Sequence, residues 1–136
     1  MKSKKILLGV CISLVLGLGL GIWWNMPSIL VDMEASEVSK ISVFDGNTGR
    51  SMTLTEASDI EHLVENFNRV SLKKEGLSWG YMGYGYRITM YRANDVVYKE
   101  FIVNSNESIR KDPFFYRASQ EKIDYTYIKN LFDGDA

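Results

Sequence analysis

The sequence predicts an α+β protein: an N-terminal transmembrane or signal helix, then an antiparallel sheet in the order β-β-α-β-β-β-α with its helices packed on one face. Three observations support this prediction. An uncharged apolar run opens the chain, several short segments alternate apolar and polar residues as strands do, and two later segments carry apolar residues on one helical face only. Helices of that kind cover one face of an antiparallel sheet.

Length and charge limit the classes of function. At 136 residues the chain has room for one domain, and we divide it into an anchor or signal segment (1–24), a tether (25–37) and an extracytoplasmic domain (38–136). Three of the 16 basic side chains precede the apolar run and all 17 acidic ones follow it, which leaves a net charge of −4 after the run. Its basic residues are dispersed, whereas phosphate backbones require a clustered basic face. Nucleic-acid binding is therefore not expected.

The apolar run, Ile6–Trp24, is long enough to cross about 30 Å of hydrocarbon as a helix. Positive charge ahead of such a run holds the N-terminus in the cytoplasm and places the remainder outside. The membrane-anchor residues are Lys2, Lys4, Lys5, Trp23 and Trp24, the two tryptophans being suited to the outer membrane interface. We expect a single-pass protein of the cytoplasmic membrane with its C-terminal domain outside.

Secretion after cleavage is the alternative location, because Gly19 and Gly21 offer small residues at a cleavage site. Cys11 is the only cysteine and lies inside the apolar run. Val10 stands where a lipidation site requires a small residue, so we interpret Cys11 as a helix residue. The exported domain then contains no thiol and forms no internal disulfide.

A β-hairpin is the first element predicted after the tether. Val38–Phe44 and Arg50–Thr55 alternate apolar and polar residues, and the turn-forming residues Asp45–Gly49 separate them. The turn has the Asp-x-Asn spacing of a calcium loop but lacks the later carboxylates, so we interpret it as a plain turn.

A helix follows the hairpin. Ser58 and Glu61 have the spacing of a capping box, and Lys73–Gly76 marks the predicted end. The sole histidine, His62, falls on the solvent side. The apolar stripe consists of Ile60, Leu63, Val64, Phe67 and Val70.

The segment Leu77–Tyr86, LSWGYMGYGY, is the strongest candidate for a partner-binding site. It interleaves four aromatic residues with three glycines, and tryptophan and tyrosine supply large contact areas with a polar tip. The alternative is a loop running into a strand whose aromatic side chains cover the core. The candidate binding residues are Trp79, Tyr81, Tyr84 and Tyr86.

Three further strands are predicted over Tyr86–Arg92, Val96–Val103 and Ser108–Arg117, with turns between them. Pro113 cannot donate to a strand ladder, so we expect the last strand to lie at an edge or to carry a bulge. A short helix over Glu121–Phe132 closes the chain, with Gly134 just past its end.

No catalytic, cofactor-binding or metal-binding residues are predicted. Triad and Cys-His mechanisms need a histidine beside a nucleophile, and zinc needs three or four His or Cys ligands. The exported part offers only His62. A small cell-envelope enzyme that uses paired carboxylates stays open as an alternative, because two acids can meet only in the fold.

The chain resembles uncharacterised small exported or lipoprotein-like proteins of low-GC Gram-positive bacteria. The likeness extends over about residues 38–132 and depends on KISVFDGNTGRSMTLT, DIEHLVENFN and GYMGYGYRITMY. It implies an extracytoplasmic location and an α+β domain, and transfers no site residues. The sequence departs from the lipoprotein members at Val10-Cys11.

We therefore expect a non-enzymatic binding module at the outer face of the membrane. Its partner would be an exported protein or a cell-wall glycan, contacted through the sheet or through Leu77–Tyr86. An inhibitor-like or sensory domain acting on another exported protein is the alternative of a different class.

Overall fold

The structure is a computed structural model that describes residues 1–83 and 85–134. The helices and strands are α1 (Lys2–Asn25), β1 (Ser28–Ile29), β2 (Lys40–Asp45), β3 (Ser51–Leu54), α2 (Ala57–Arg69), β4 (Ser71–Leu77), β5 (Tyr86–Arg92), β6 (Val96–Val103), β7 (Ser108–Lys111), β8 (Phe114–Ser119) and α3 (Tyr125–Asp133). Short 3₁₀ helices cover Ala35–Glu37 and Ala93–Asp95.

Helix α1 stands apart from the domain over most of its length. None of its residues is buried, and its apolar side chains are spread around the whole circumference. A helix of this length and composition can cross a bilayer or serve as a signal sequence. This agrees with the membrane or signal segment predicted from the sequence.

The strands form one eight-stranded sheet in the order β1-β4-β8-β7-β6-β5-β2-β3, and every described pair is antiparallel. The predicted α+β class is confirmed. The edge strands β1 and β3 have only two and four residues. The predicted hairpin is present as β2 and β3, with Val43 opposite Met52.

Helix α2 differs from its prediction at both ends. It begins at Ala57, after Glu56 as N-cap, and no side chain caps it, so the predicted capping box of Ser58 and Glu61 is wrong. It ends at Arg69, and the residues predicted as its last turn belong to β4. Strand β4 lies between β1 and β8, whose backbone groups bond it from both sides. This pairing overrides the weak strand propensity of SLKKEGL.

The last predicted strand is two strands that form a hairpin. The chain turns at Asp112-Pro113 between β7 and β8. Pro113 therefore lies in a turn, where no ladder N–H is required. Strand β8 is in the interior of the sheet between β4 and β7, so the predicted edge position is wrong.

The core lies on the face of the sheet that α2 and α3 cover. The apolar stripe of α2 is buried as predicted, and Phe67 packs edge-to-face on Phe101 with ring centroids 5.2 Å apart. The predicted tether packs at its middle, where Leu30 and Val31 are buried. The strand residues of the core are Ile41, Val43, Leu54, Leu72, Tyr86, Ile88, Met90, Phe101, Val103 and Ile109.

Polar side chains join α2 to α3. The His62 Nε2 lies 2.9 Å from the Asp124 carboxylate, and its ring stacks on Tyr127 at 3.9 Å. His62 is exposed, as predicted, yet it is bonded. The Tyr127 hydroxyl donates to Asp59, and burial together with this carboxylate raises the pKa of Tyr127 to about 12. Helix α3 begins at Tyr125, with Asp124 as its N-cap.

Phe67→Ala should lower the free energy of unfolding by about 3–5 kcal/mol, because the truncated side chain leaves a cavity beside Phe101. Urea unfolding of the full chain in detergent, followed by far-UV circular dichroism, measures the change. Glu65→Ala, on the exposed side of the same helix, should stay within about 0.5 kcal/mol of wild type. Equal effects of the two substitutions would contradict this account of the core.

Candidate functional site

The chain between β4 and β5 crosses the sheet on the face opposite to the core. Tyr81 packs edge-to-face on Phe115, with ring centroids 5.1 Å apart. Phe115 alternates along β8 with Tyr116, which packs against the core, so Phe115 points to the other face. The Arg110 guanidinium lies 5.7 Å from the Tyr81 ring and donates to the Gly83 carbonyl at 3.3 Å. These contacts hold the middle of the segment against the sheet.

The start of this segment is bonded to the β7–β8 turn. The Ser78 N–H donates to the Pro113 carbonyl at 2.8 Å, and the Ser78 hydroxyl donates to Asp112 at 2.6 Å. Arg110 donates to both oxygens of the same carboxylate, at 2.8 and 3.2 Å. The Arg110 and Ser78 hydrogen bonds lower the pKa of Asp112. At Gly80 the backbone turns with a φ of +79°, which glycine adopts without strain.

The end of the segment is fixed by Gly85. Its N–H donates to the Asn104 side chain at 3.0 Å, and its carbonyl accepts from the Gly46 N–H at 2.8 Å. A Cβ at Gly85 would lie 2.5 Å from the Val103 carbonyl oxygen. Only glycine allows the backbone to approach β6 this closely, so Gly85 sets the path of the chain into β5.

An open cleft of about 650 Å³ lies where this segment meets the ends of β2 and β6 and the start of β7. Its described lining combines aromatic rings with neutral amide and hydroxyl groups and contains no charged side chain. A cleft of this volume is within the usual range for small-ligand sites. The lining residues are Gly46, Asn47, Tyr81, Met82, Gly83, Gly85, Asn104, Ser108, Phe115 and Tyr125.

The β2–β3 turn at the rim of the cleft is held by Asp45. This carboxylate is 3% exposed and accepts from the Asn47 N–H at 2.8 Å and the Thr48 hydroxyl at 2.7 Å. Burial opposes ionisation, but the hydrogen bonds from Thr48 and Asn47 outweigh it and lower the pKa of Asp45. Asp45 thus bonds its own turn, in agreement with the predicted plain hairpin. Nothing in the residues of this turn predicts that it borders a cleft.

The four candidate binding residues have different surroundings. Trp79 is 91% exposed beside the β7–β8 turn, and Tyr81 is 51% exposed at the cleft. Tyr86 is buried and stacks on Phe132, so it belongs to the core, the alternative that the sequence left open. Tyr84 lies outside the described residues. Of the three that the structure describes, only Tyr81 lines the cleft.

Within residues 1–83 and 85–134, no three His, Cys, Asp or Glu side chains lie close enough together to hold a metal ion. The chain matches no protein-family model, no curated protein and no solved structure.

Gly85→Ala should destabilise the domain by about 1–3 kcal/mol, because its Cβ requires β5 to move away from the Val103 carbonyl. Hydrogen exchange should also accelerate at the Gly46 amide, which donates to Gly85. Gly83→Ala is the matched control, since its Cβ would meet only the Tyr81 side chain at 3.5 Å or more. If both variants exchange at the same rate as wild type, the close approach does not determine the path of this segment.

Proposed function

We propose that this protein is a membrane-anchored extracytoplasmic binding module whose cleft takes a neutral, hydroxyl-rich ligand, a cell-wall glycan. The neutral polar and aromatic lining of the cleft is the observation that supports the proposal. Sugar rings present apolar faces to aromatic side chains and hydroxyls to amide groups. Tyr81 offers the half-exposed ring at the cleft, and Asn47 and Ser108 offer neutral polar groups at its rim.

The membrane part of the proposal depends on α1. The helix is long and apolar enough to cross a bilayer, and none of its residues is buried against the domain. The three lysines of its first turns favour a cytoplasmic N-terminus, and Trp23 and Trp24 lie at its other end. With this orientation the domain and its cleft lie on the outer side of the membrane. Release by cleavage would give the same binding module in secreted form.

Tyr81→Ala should weaken binding to purified peptidoglycan and to soluble muropeptides by about tenfold, which corresponds to about 1.4 kcal/mol. Removing the ring takes away the stacking surface while the backbone of the loop keeps its bonds at Ser78 and Gly85. Tyr81→Phe keeps the ring and should retain most of the affinity. Pull-down on sacculi and calorimetry with the full chain in detergent measure both.

Trp79→Ala is the control for this test, because Trp79 is outside the cleft lining. It should bind the muropeptides as wild type does. No binding by the wild-type chain, or equal binding by Tyr81→Ala, would contradict the glycan proposal. Specific capture of an exported protein through Tyr81, without glycan binding, would favour the inhibitor-like or sensory alternative.

A reporter that is active only after export should be active when fused after Gly134 and inactive when fused after Lys5. The lysines ahead of the apolar run hold the N-terminus inside, so only the C-terminal fusion is exported. Replacing Lys2, Lys4 and Lys5 by Glu should reduce the activity of the C-terminal fusion. Activity of the N-terminal fusion alone would reverse the proposed orientation.

A further inference from the structure

Large apolar side chains are exposed at the place where α1 leaves the domain. Trp79 is 91% exposed and Leu77 62% exposed, and Met26, just after α1, is 58% exposed. Trp23 and Trp24, in the last turn of α1, are 48% and 36% exposed. We call these five residues the juxtamembrane patch. Exposed apolar clusters on a domain surface mark contact with a partner or a membrane.

Phe114 connects the members of the patch. Its ring is 5.8 Å from the rings of both Trp23 and Trp24, and its backbone lies directly opposite Leu77 in the β4–β8 ladder. Pro113, the preceding residue, bonds Ser78 and lines a hollow together with Trp79 and Gly80. Apolar side chains thus extend from the end of the helix to Leu77 and, past Ser78 and the Arg110–Asp112 ion pair, to Trp79 at the tip of the loop.

The position and chemistry of the patch suit the interface of a lipid bilayer. Indole rings concentrate at the level of the lipid headgroups, where the ring is partly dehydrated and its N–H stays bonded. The Lys74 ammonium lies 4.4 Å from the Trp23 ring and donates to the Trp23 carbonyl at 3.3 Å. Lys111, exposed in the adjoining strand, adds a second cation at the headgroup level.

We propose that Leu77 and Trp79 form a second membrane contact, inserting into the outer interface of the phospholipid bilayer that α1 crosses. The domain then has a fixed orientation, because two separated points hold it to the membrane surface. Ser108, at the cleft, is the first residue of β7, and Asp112, beside Trp79, follows its last residue. The Ser108 side of the cleft is therefore separated from Trp79 by the length of β7. The proposal rests on retention of α1 in the membrane, which is part of the proposed function, and is independent of the ligand of the cleft.

The test measures how deeply Trp79 enters the lipid bilayer when the full chain is reconstituted. Trp23→Phe with Trp24→Phe leaves Trp79 as the only tryptophan. The chain is reconstituted in nanodiscs of phosphatidylcholine and phosphatidylglycerol, with and without bromine on the acyl chains. We expect the brominated lipid to quench most of the Trp79 emission, and aqueous iodide to quench it weakly. The matched control adds Trp79→Ser and Asn47→Trp to the same two substitutions, so that the single tryptophan lies at the cleft rim. Its emission should be quenched strongly by iodide and weakly by the brominated lipid.

A second variant leaves the three tryptophans in place, in case their substitution disturbs the packing on Phe114. A nitroxide label at Leu77→Cys, with Cys11→Ser, should collide more with oxygen than with a water-soluble nickel complex. The same label at Asn47→Cys should favour the nickel complex. The proposal would be overturned if Trp79 and position 77 were both as accessible to aqueous reagents as the probes at position 47 are.

Such a result would leave the glycan test unaffected, so failure of this proposal is distinguishable from failure of the proposed function. Burial of Trp79 in a complex with a second protein, with no lipid quenching, would also overturn it.

Discussion

The separation of the two faces of the sheet is the constraint on which the rest of the molecule depends. Residues on one face pack against α2, α3 and the segment around Leu30, and these elements account for most of the buried core. Because one face packs against these elements, the segment between β4 and β5 lies on the other face. The position of this segment, and of the cleft beside it, therefore follows from the packing of the apolar side chains on the core face.

Much of this architecture could be predicted from periodicity. The stripe of α2, the alternation in β2, β3 and β5 and the strand-forming residues of β6 are strong local signals, and these elements begin and end within a few residues of the predicted bounds. Strand β4 could not be predicted, because SLKKEGL has neither alternation nor strong strand formers, and only its neighbours β1 and β8 make it a strand. The β7–β8 turn was missed because the pattern around Pro113 also fits a single bulged strand.

The sequence predicts which segment contains the candidate site but not which of its residues line the cleft. The glycine-aromatic composition of Leu77–Tyr86 singles out the connection between β4 and β5. Composition does not tell which ring faces solvent, and the structure assigns Tyr86 to the core, Tyr81 to the cleft and Trp79 to the surface. The requirement for glycine at position 85 is visible only in the structure, because it arises from the Val103 carbonyl oxygen, which a Cβ would approach too closely. Asn104 and Ser108 likewise join the cleft through pairing of distant strands.

The lengths of the outermost strands bear on how such an open sheet avoids pairing with other chains. An open sheet exposes unpaired backbone groups along both borders, and long flat borders act as templates for pairing with other chains. Here one border is a two-residue strand beside the end of α1 and the other is the four-residue β3. Strand β3 pairs four residues of β2, whereas β1 pairs only Ser71 and Leu72 of β4. The rest of that border of β4 carries Lys73, Lys74 and Glu75, charged residues that disfavour pairing with another strand. Short edge strands and edge charges thus both limit the recruitment of other chains to this open sheet.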